Sequence, residues 1–255
     1  TLAGCGPDNV LHSERYRDGT GSDACFDQPT GVAVATDGTV YVSDTANHRS
    51  SAISAAGVVT TYAGTGDEGD GDSANLREAS FSRPRGLAIG PDGALYVADA
   101  GSGAVRRITR AGVTTVARDL EGPMGITLGA DGRIYVTLGD ATVRSIAGGN
   151  VTQLAGAENQ FEYAEETGED ARMRPGDGVA LLGDRLVFAD SNNHRVRSLA
   201  LNTRRVTTLV GDGRAGAGVG TGATTHVVVP RGVTLYRDGL ALADSANHRV
   251  LYVRP

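Results

Sequence analysis

Short apolar runs alternate with turn residues along the whole chain, and no stretch carries the apolar spacing of an amphipathic helix. One phrase recurs. It reads QPTGVAVATDGTVYVSDTANHR from Gln28, RPRGLAIGPDGALYVADAGSGA from Arg83, GPMGITLGADGRIYVTLGDA from Gly122, PGDGVALLGDRLVFADSNNHRV from Pro175 and VPRGVTLYRDGLALADSANHRV from Val229. In each copy a Gly opens an apolar run: Val32-Ala33-Val34, Leu87-Ala88-Ile89, Ile126-Thr127-Leu128, Val179-Ala180-Leu181 and Val233-Thr234-Leu235. A turn follows, usually Asp-Gly, at Asp37-Gly38, Asp92-Gly93, Asp131-Gly132 and Asp238-Gly239. Asp-Gly between apolar runs signals a hairpin because its turn needs positive φ. A second strand follows, such as Val40-Tyr41-Val42. A third lies beyond the Asn-His-Arg loop, as in Val196 to Leu199, and a Thr-rich fourth follows it, as at Val58 to Tyr62 or Val206 to Leu209.

Four antiparallel strands per repeat make one blade, and blades bury their faces by stacking around an axis. The fold class is therefore all-β: a five-bladed β-propeller forming a single domain over 1–255. The blades run roughly 28–64, 84–118, 122–156, 175–211 and 229–255 plus 1–4. The last copy stops after its third strand, and Thr1-Leu2-Ala3-Gly4 matches the fourth-strand ends Thr61-Tyr62-Ala63-Gly64 and Gln153-Leu154-Ala155-Gly156. The expectation is that this N-terminal strand completes the C-terminal blade and closes the ring.

Composition narrows the function classes. The 37 Gly against 8 Pro fit many tight turns. The net charge is −6, and all 24 basic residues are Arg, so a nucleic-acid footprint is not expected. Cys5 and Cys25 lie in one loop segment and can close it as a disulfide in an oxidising compartment, two free thiols being the alternative. No apolar run is long enough for a membrane span, and no signal peptide is visible. The chain starts in mid-motif and reads as a trimmed or mature fragment. Asn150-Val151-Thr152 is a glycosylation sequon if the chain is secreted.

These residues resemble the NHL repeat family, whose signature is Pro-x-Gly, Asp-Gly, Tyr-Val-x-Asp and Asn-His-Arg-Val. The linker Ala63 to Gly71 with Phe81 to Pro84 also looks like that family's long loops. The resemblance spans essentially the whole chain and implies a propeller, commonly of six blades where this count gives five. The repeat from Gly125 departs: Leu138 stands where the others have Asp44, Asp99, Asp190 and Asp244, and the Asn-His-Arg loop is absent. That blade is expected to be degenerate and less well knit.

Three groups of residues are candidates for chemistry. Asp44, Asp190 and Asp244 recur with His48, His194 and His248, and Asp99 fills the matching place in the second copy. Because every blade repeats the unit, a loop-capping role is favoured over a metal ring. The acidic loops Asp67 to Asp72 and Glu158 to Asp170 read as solvated, calcium being the alternative for the first. The third group precedes each first-strand Gly: Thr30, Arg85, Met124, Asp177 and Arg231. Such positions are expected at the mouth of a propeller channel, and variation on a repeated frame suits a binding surface. Two Arg there can clamp a carboxylate, phosphate or sulfate, or can pair with Asp177 and loop acids. In the peptide-amidating lyases of NHL-like type the zinc histidines stand at this Pro-His position, and no Pro-His dipeptide exists here. His12 and His226 sit in loops with no assigned partner.

The expected function is a non-catalytic ligand- or protein-binding module, the extracellular or surface recognition domain of a larger protein, without metal or cofactor. Its partner would be a protein or a small anionic ligand on the face carrying the loops, with no nucleic acid and no direct membrane contact. The alternative is a divergent metal-dependent hydrolase or lyase of the NHL and strictosidine-synthase-like propeller group.

Overall fold

The computed structural model describes residues 2–6 and 16–254. The chain is an all-β, five-bladed β-propeller of antiparallel sheets, with short 3-10 turns as its helical content. It divides into two compact units, Thr1–Pro123 and Met124–Pro255.

The first unit holds two blades. Blade one is β2 (Pro29–Val34), β3 (Val40–Asp44), β4 (Arg49–Ile53) and β5 (Val58–Ala63), with a short strand, β1 (Gly19–Thr20), added beside β5. Blade two is β6 (Pro84–Ile89), β7 (Leu95–Asp99), β8 (Ala104–Thr109) and β9 (Gly112–Ala117). The Asp-Gly hairpins behave as expected: Gly38 and Gly93 take φ of 85° and 75°, which only Gly adopts without strain. Between the blades, Ala33 and Ala63 of blade one pack with Phe81, Leu87, Val97 and Ile108.

The second unit holds the other three. Blade three is β10 (Pro123–Leu128), β11 (Ile134–Leu138), β12 (Val143–Ala147) and β13 (Asn150–Ala155); blade four is β14 (Pro175–Leu182), β15 (Arg185–Asp190), β16 (Arg195–Ala200) and β17 (Val206–Val210). Blade five is β18 (Pro230–Tyr236), β19 (Gly239–Asp244) and β20 (Arg249–Val253). Its hairpin is displaced by one residue from the expected Asp238-Gly239 turn. Tyr236 pairs with Gly239, so Arg237-Asp238 forms the loop and Arg237 takes the left-handed φ of 55°. Leu154, Met173, Leu186, Phe188 and Leu199 build the core between blades three and four. Val196, Val210, Val227, Val233, Leu240 and Leu242 build the one between four and five.

Two expectations need correction. The last sheet has three strands, and Leu2 to Gly4 form no strand. Their described contacts lie on the flank of blade one: the Gly4 N–H donates to the Gly21 carbonyl at 2.9 Å, and Ala3 packs with Ala24, Val42, Ile53 and Val59. The fourth strand expected from Thr1 to Gly4 is thus not among the strands of that sheet, and Thr1 itself lies outside the described residues. Blade three is also better knit than the loss of its Asp implies. Leu138 is fully buried, and a buried carboxylate reappears two residues on at Asp140. That buried group accepts the Thr142 N–H at 3.0 Å and hydroxyl at 2.6 Å, and pairs with Arg144 at 2.7 Å.

Candidate functional site

Blades one, two, four and five end their second strand on a fully buried carboxylate: Asp44, Asp99, Asp190 and Asp244. An Asp at this point lets a short side chain accept backbone N–H groups that the incoming linker would otherwise bury unpaired. Asp27 donates its N–H to Asp44 at 2.7 Å, Ser82 to Asp99 at 2.8 Å, Arg174 to Asp190 at 2.6 Å and Val228 to Asp244 at 2.7 Å. The second carboxylate oxygen takes a side chain. Asn47 serves Asp44 at 2.8 Å, Arg106 serves Asp99 at 3.0 Å, Arg197 serves Asp190 at 2.9 Å, and Asn247 and Arg249 serve Asp244. Burial pushes Asp44 up to about 6, because its hydrogen bonds offset only part of the desolvation. Burial raises Asp99 and Asp190 as well, their guanidinium partners notwithstanding.

Arg106 and Arg197 are fully buried, and sequence reasoning passed over both. Arg106 also donates to the carbonyls of Ser80 and Gly71 at 2.9 Å and to Asp72 at 2.7 Å. Arg197 donates to the carbonyls of Ala164 at 2.9 Å and Arg172 at 3.3 Å. Both guanidiniums therefore lash the preceding linker to the blade. The signal was available: an Arg seven residues after the repeat Asp in copies two and four, where copies one and five have Ser51 and Leu251.

The histidines sit in the left-handed conformation at the end of the 3-10 turn, with φ of 52° to 53°. His48 Nδ1 accepts the Arg83 N–H, and His194 Nδ1 accepts the Val229 N–H, each at 3.2 Å. They hold the linker into the next blade. Among the described residues no group of three His, Cys, Asp or Glu side chains is placed to hold a metal. In the loop from Asp67 to Asp72, Glu68 accepts the Ser82 hydroxyl at 2.6 Å, and Asp70 pairs with Arg118 at 2.8 Å. Burial would raise Asp72, but the Thr115 N–H and hydroxyl together with Arg106 hold it below the usual range. In the second acidic run Glu158 pairs with Arg144 at 2.7 Å, and Glu165 accepts the Thr208 N–H at 2.7 Å. His226 lies 3.3 Å from Asp212, and His12 lies outside the described residues.

Three of the first-strand glycines are clamped. A Cβ on Gly31 would overlap the Arg85 carbonyl oxygen, one on Gly125 that of Asp177, and one on Gly178 that of Arg231. Hydroxyls on the second strands and at the start of the 3-10 turns that follow them stitch the same junctions. Ser43 donates to the Arg85 carbonyl at 2.5 Å, Thr45 to Pro84 at 2.7 Å, Thr137 to Gly176 at 2.8 Å and Ser191 to Pro230 at 2.6 Å. The residues just before the glycines are not part of the clamp by their side chains. In the first unit Thr30 is exposed and Arg85 half-buried; in the second, Met124 and Asp177 are half-buried and Arg231 exposed. Thr30 shares a hydroxyl hydrogen bond of 2.7 Å with Thr45. Cys5 and Cys25 form a disulfide, and Cys25 is buried at the entry to blade one.

The NHL repeat family model matches residues 26–49 and 81–108, which hold the Asp44 and Asp99 loops and the buried Arg106. The chain is a β-propeller that carries NHL repeats. Protein SUPPRESSOR OF QUENCHING 1, chloroplastic, of Arabidopsis thaliana is 28% identical over 94% of this NHL chain and 26% of its own length. NHL repeat-containing protein 2 of Bos taurus is 28% identical over 76% and 24%. The chain thus spans about a quarter of the length of these relatives. Among solved structures, an auxiliary nutrient binding protein of Bacteroides ovatus superposes with a TM-score of 0.71 at 17% identity, covering 88% of this chain and 58% of that one. Virginiamycin B lyase of Staphylococcus aureus gives 0.57 at 17%, covering 89% and 69%. These identities are those of a shared fold. No helix among the described residues is long and apolar enough to cross a membrane.

Proposed function

We propose that this NHL propeller is a non-catalytic recognition module, binding a protein or a small anionic ligand through the side chains that precede the first-strand glycines. One observation carries the reading: Gly31, Gly125 and Gly178 are pinned against the next blade's backbone, while the residue before each first-strand glycine changes from blade to blade and keeps solvent access. A frame that fixes position and leaves identity open suits recognition. The repeat carboxylates, in contrast, are buried and engaged in holding linkers, which leaves them no substrate to reach. Arg231, exposed beside its glycine, supplies a fork of donors for carboxylate or phosphate. The Cys5–Cys25 disulfide supports an oxidising, extracellular or surface setting.

The test is calorimetric titration with phosphate, sulfate and a glutamate-rich peptide, run beside assays for ester, lactone and lyase turnover. Saturable binding of one acidic probe, weakened in Arg231→Ala at unchanged melting temperature, supports the module. Metal-dependent turnover that survives purification and is abolished by a chelator would replace it with the hydrolase or lyase reading.

A further inference from the structure

In blades two and four an arginine fills a cradle built by the linker and the repeat Asp. Arg106 donates to Asp99 at 3.0 Å and to the carbonyls of Ser80 and Gly71; Arg197 donates to Asp190 at 2.9 Å and to the carbonyls of Arg172 and Ala164. Each pairs across the sheet with a Thr, Thr115 or Thr208, whose N–H is held by a linker carboxylate, Asp72 or Glu165. Blade five fills its cradle from the first residue of the third strand. There Arg249 donates to Asp244 at 2.7 Å and to the carbonyls of Ala217 at 2.8 Å and His226 at 2.9 Å.

Blade one repeats the acceptors. The Asp27 N–H meets Asp44, and two residues earlier Cys25 pairs with Arg17 as Arg172 pairs with Ala164, which offers the same two carbonyls. Asp18 accepts the Thr61 N–H at 3.1 Å, as Asp72 and Glu165 do for their Thr. The donor is what differs. Ser51 stands opposite Thr61, in the register of Arg106 and Arg197, and its buried hydroxyl has no hydrogen-bond partner among the described residues. Arg49 has the register of Arg249 but takes another seat. It lies 3.9 Å over the Tyr16 ring and donates to the Thr65 carbonyl at 2.6 Å, just as Arg195 lies 3.8 Å over Tyr163 and donates to the Asp212 carbonyl at 2.8 Å. Among the described residues no guanidinium pairs with Asp44 or Asp18.

We infer that blade one binds the guanidinium of an arginine side chain presented by a partner polypeptide. The head bridges Asp44 and Asp18 and donates to the Arg17 and Cys25 carbonyls, with the Ser51 hydroxyl as a further acceptor. Acceptors spread over several directions suit a planar fork of five donors better than an ammonium. Asp44 keeps its linker N–H on one oxygen, and the other can take a second donor. Blade five shows this: one oxygen of Asp244 accepts both the Asn247 amide at 2.8 Å and Arg249 at 2.7 Å. Tyr16 and Asp18 are half-buried and Arg17 is exposed, so the approach runs from solvent past Asp18.

The probe is N-acetyl-arginine methylamide, titrated into the full chain by calorimetry beside its lysine analogue. The inference expects saturable binding of the arginine probe, binding of the lysine probe weaker by about tenfold or more, and a loss of about tenfold in Asp18→Asn. Ser51→Arg supplies the guanidinium from the chain itself. It should abolish probe binding and raise the melting temperature by roughly 2–4 °C. Equal binding of the two probes would overturn the inference, as would undiminished binding in Ser51→Arg. So would a lower melting temperature of Ser51→Arg with no probe binding to wild type, the mark of a space that the chain's own side chains already fill. The probe is a cation, whereas the acidic-ligand reading is tested with anions at Arg231, so either can fail alone.

Discussion

Blades one and two carry the same buried Asp at the end of the second strand and answer it differently. Asp99 meets the buried guanidinium of Arg106 at 3.0 Å, which reaches on to Asp72 and two linker carbonyls. Asp44 meets the amide of Asn47, and among the described residues no guanidinium stands at ion-pair distance from it. Both carboxylates nonetheless accept one linker N–H in the same way. The common element is therefore the capped linker, and the countercharge is optional. A metal ligand or catalytic acid would not tolerate that exchange of neighbours, whereas a loop cap does.

The comparison breaks hardest at Arg106. Replacing it with Met leaves Asp99 buried without its countercharge, and urea unfolding should show a loss of about 3–5 kcal/mol. Adding Asp99→Leu should recover part of that loss, giving a double-mutant coupling that the Asp44–Asn47 pair lacks. Next comes the disulfide, which ties down the segment that delivers the Asp27 N–H to Asp44. Cys25→Ser should lower stability by about 3 kcal/mol, with exchange rising in blade one before blade two.

Protonation separates the blades more finely. The folded Asp44 carboxyl titrates at about 6 against its ordinary 3.8, so between those values the folded chain holds a proton that the unfolded chain has released. Its contribution is therefore most favourable below about pH 4, falls as pH rises towards 6 and is flat above. Asp44→Asn keeps an acceptor for Asp27 and removes this dependence. Relative to wild type it should gain up to about 3 kcal/mol across that window, measured by denaturant unfolding at stepped pH. The smallest change is Ser43→Ala, which removes one hydroxyl from the junction of the two blades and should cost about 1 kcal/mol.

Much of this was legible in the chain. The hairpin turns, the glycines that open the first strands and the Thr-rich fourth strands follow local rules repeated along the chain, so periodicity alone places most of them. The burial of Arg106 and Arg197 was less visible, because a guanidinium reads as surface until a carboxylate and several carbonyls converge on it. Asp140 was missed because blade three moves its carboxylate two residues along, out of the repeat register. The first residues were misjudged for another reason. Leu2-Ala3-Gly4 has the composition of a fourth-strand end, but composition does not say which backbone the Gly4 N–H will find, and it finds Gly21.

The central claim is that the repeated frame holds the fold while the residues before the glycines recognise the ligand. It is tested most directly by measuring melting temperature and acidic-probe affinity side by side for Arg231→Ala and Arg106→Met. The account expects Arg231→Ala to melt like wild type and bind weakly, and Arg106→Met to melt early and, while folded, bind like wild type. The reverse pattern, with affinity following Arg106 and stability following Arg231, would contradict it.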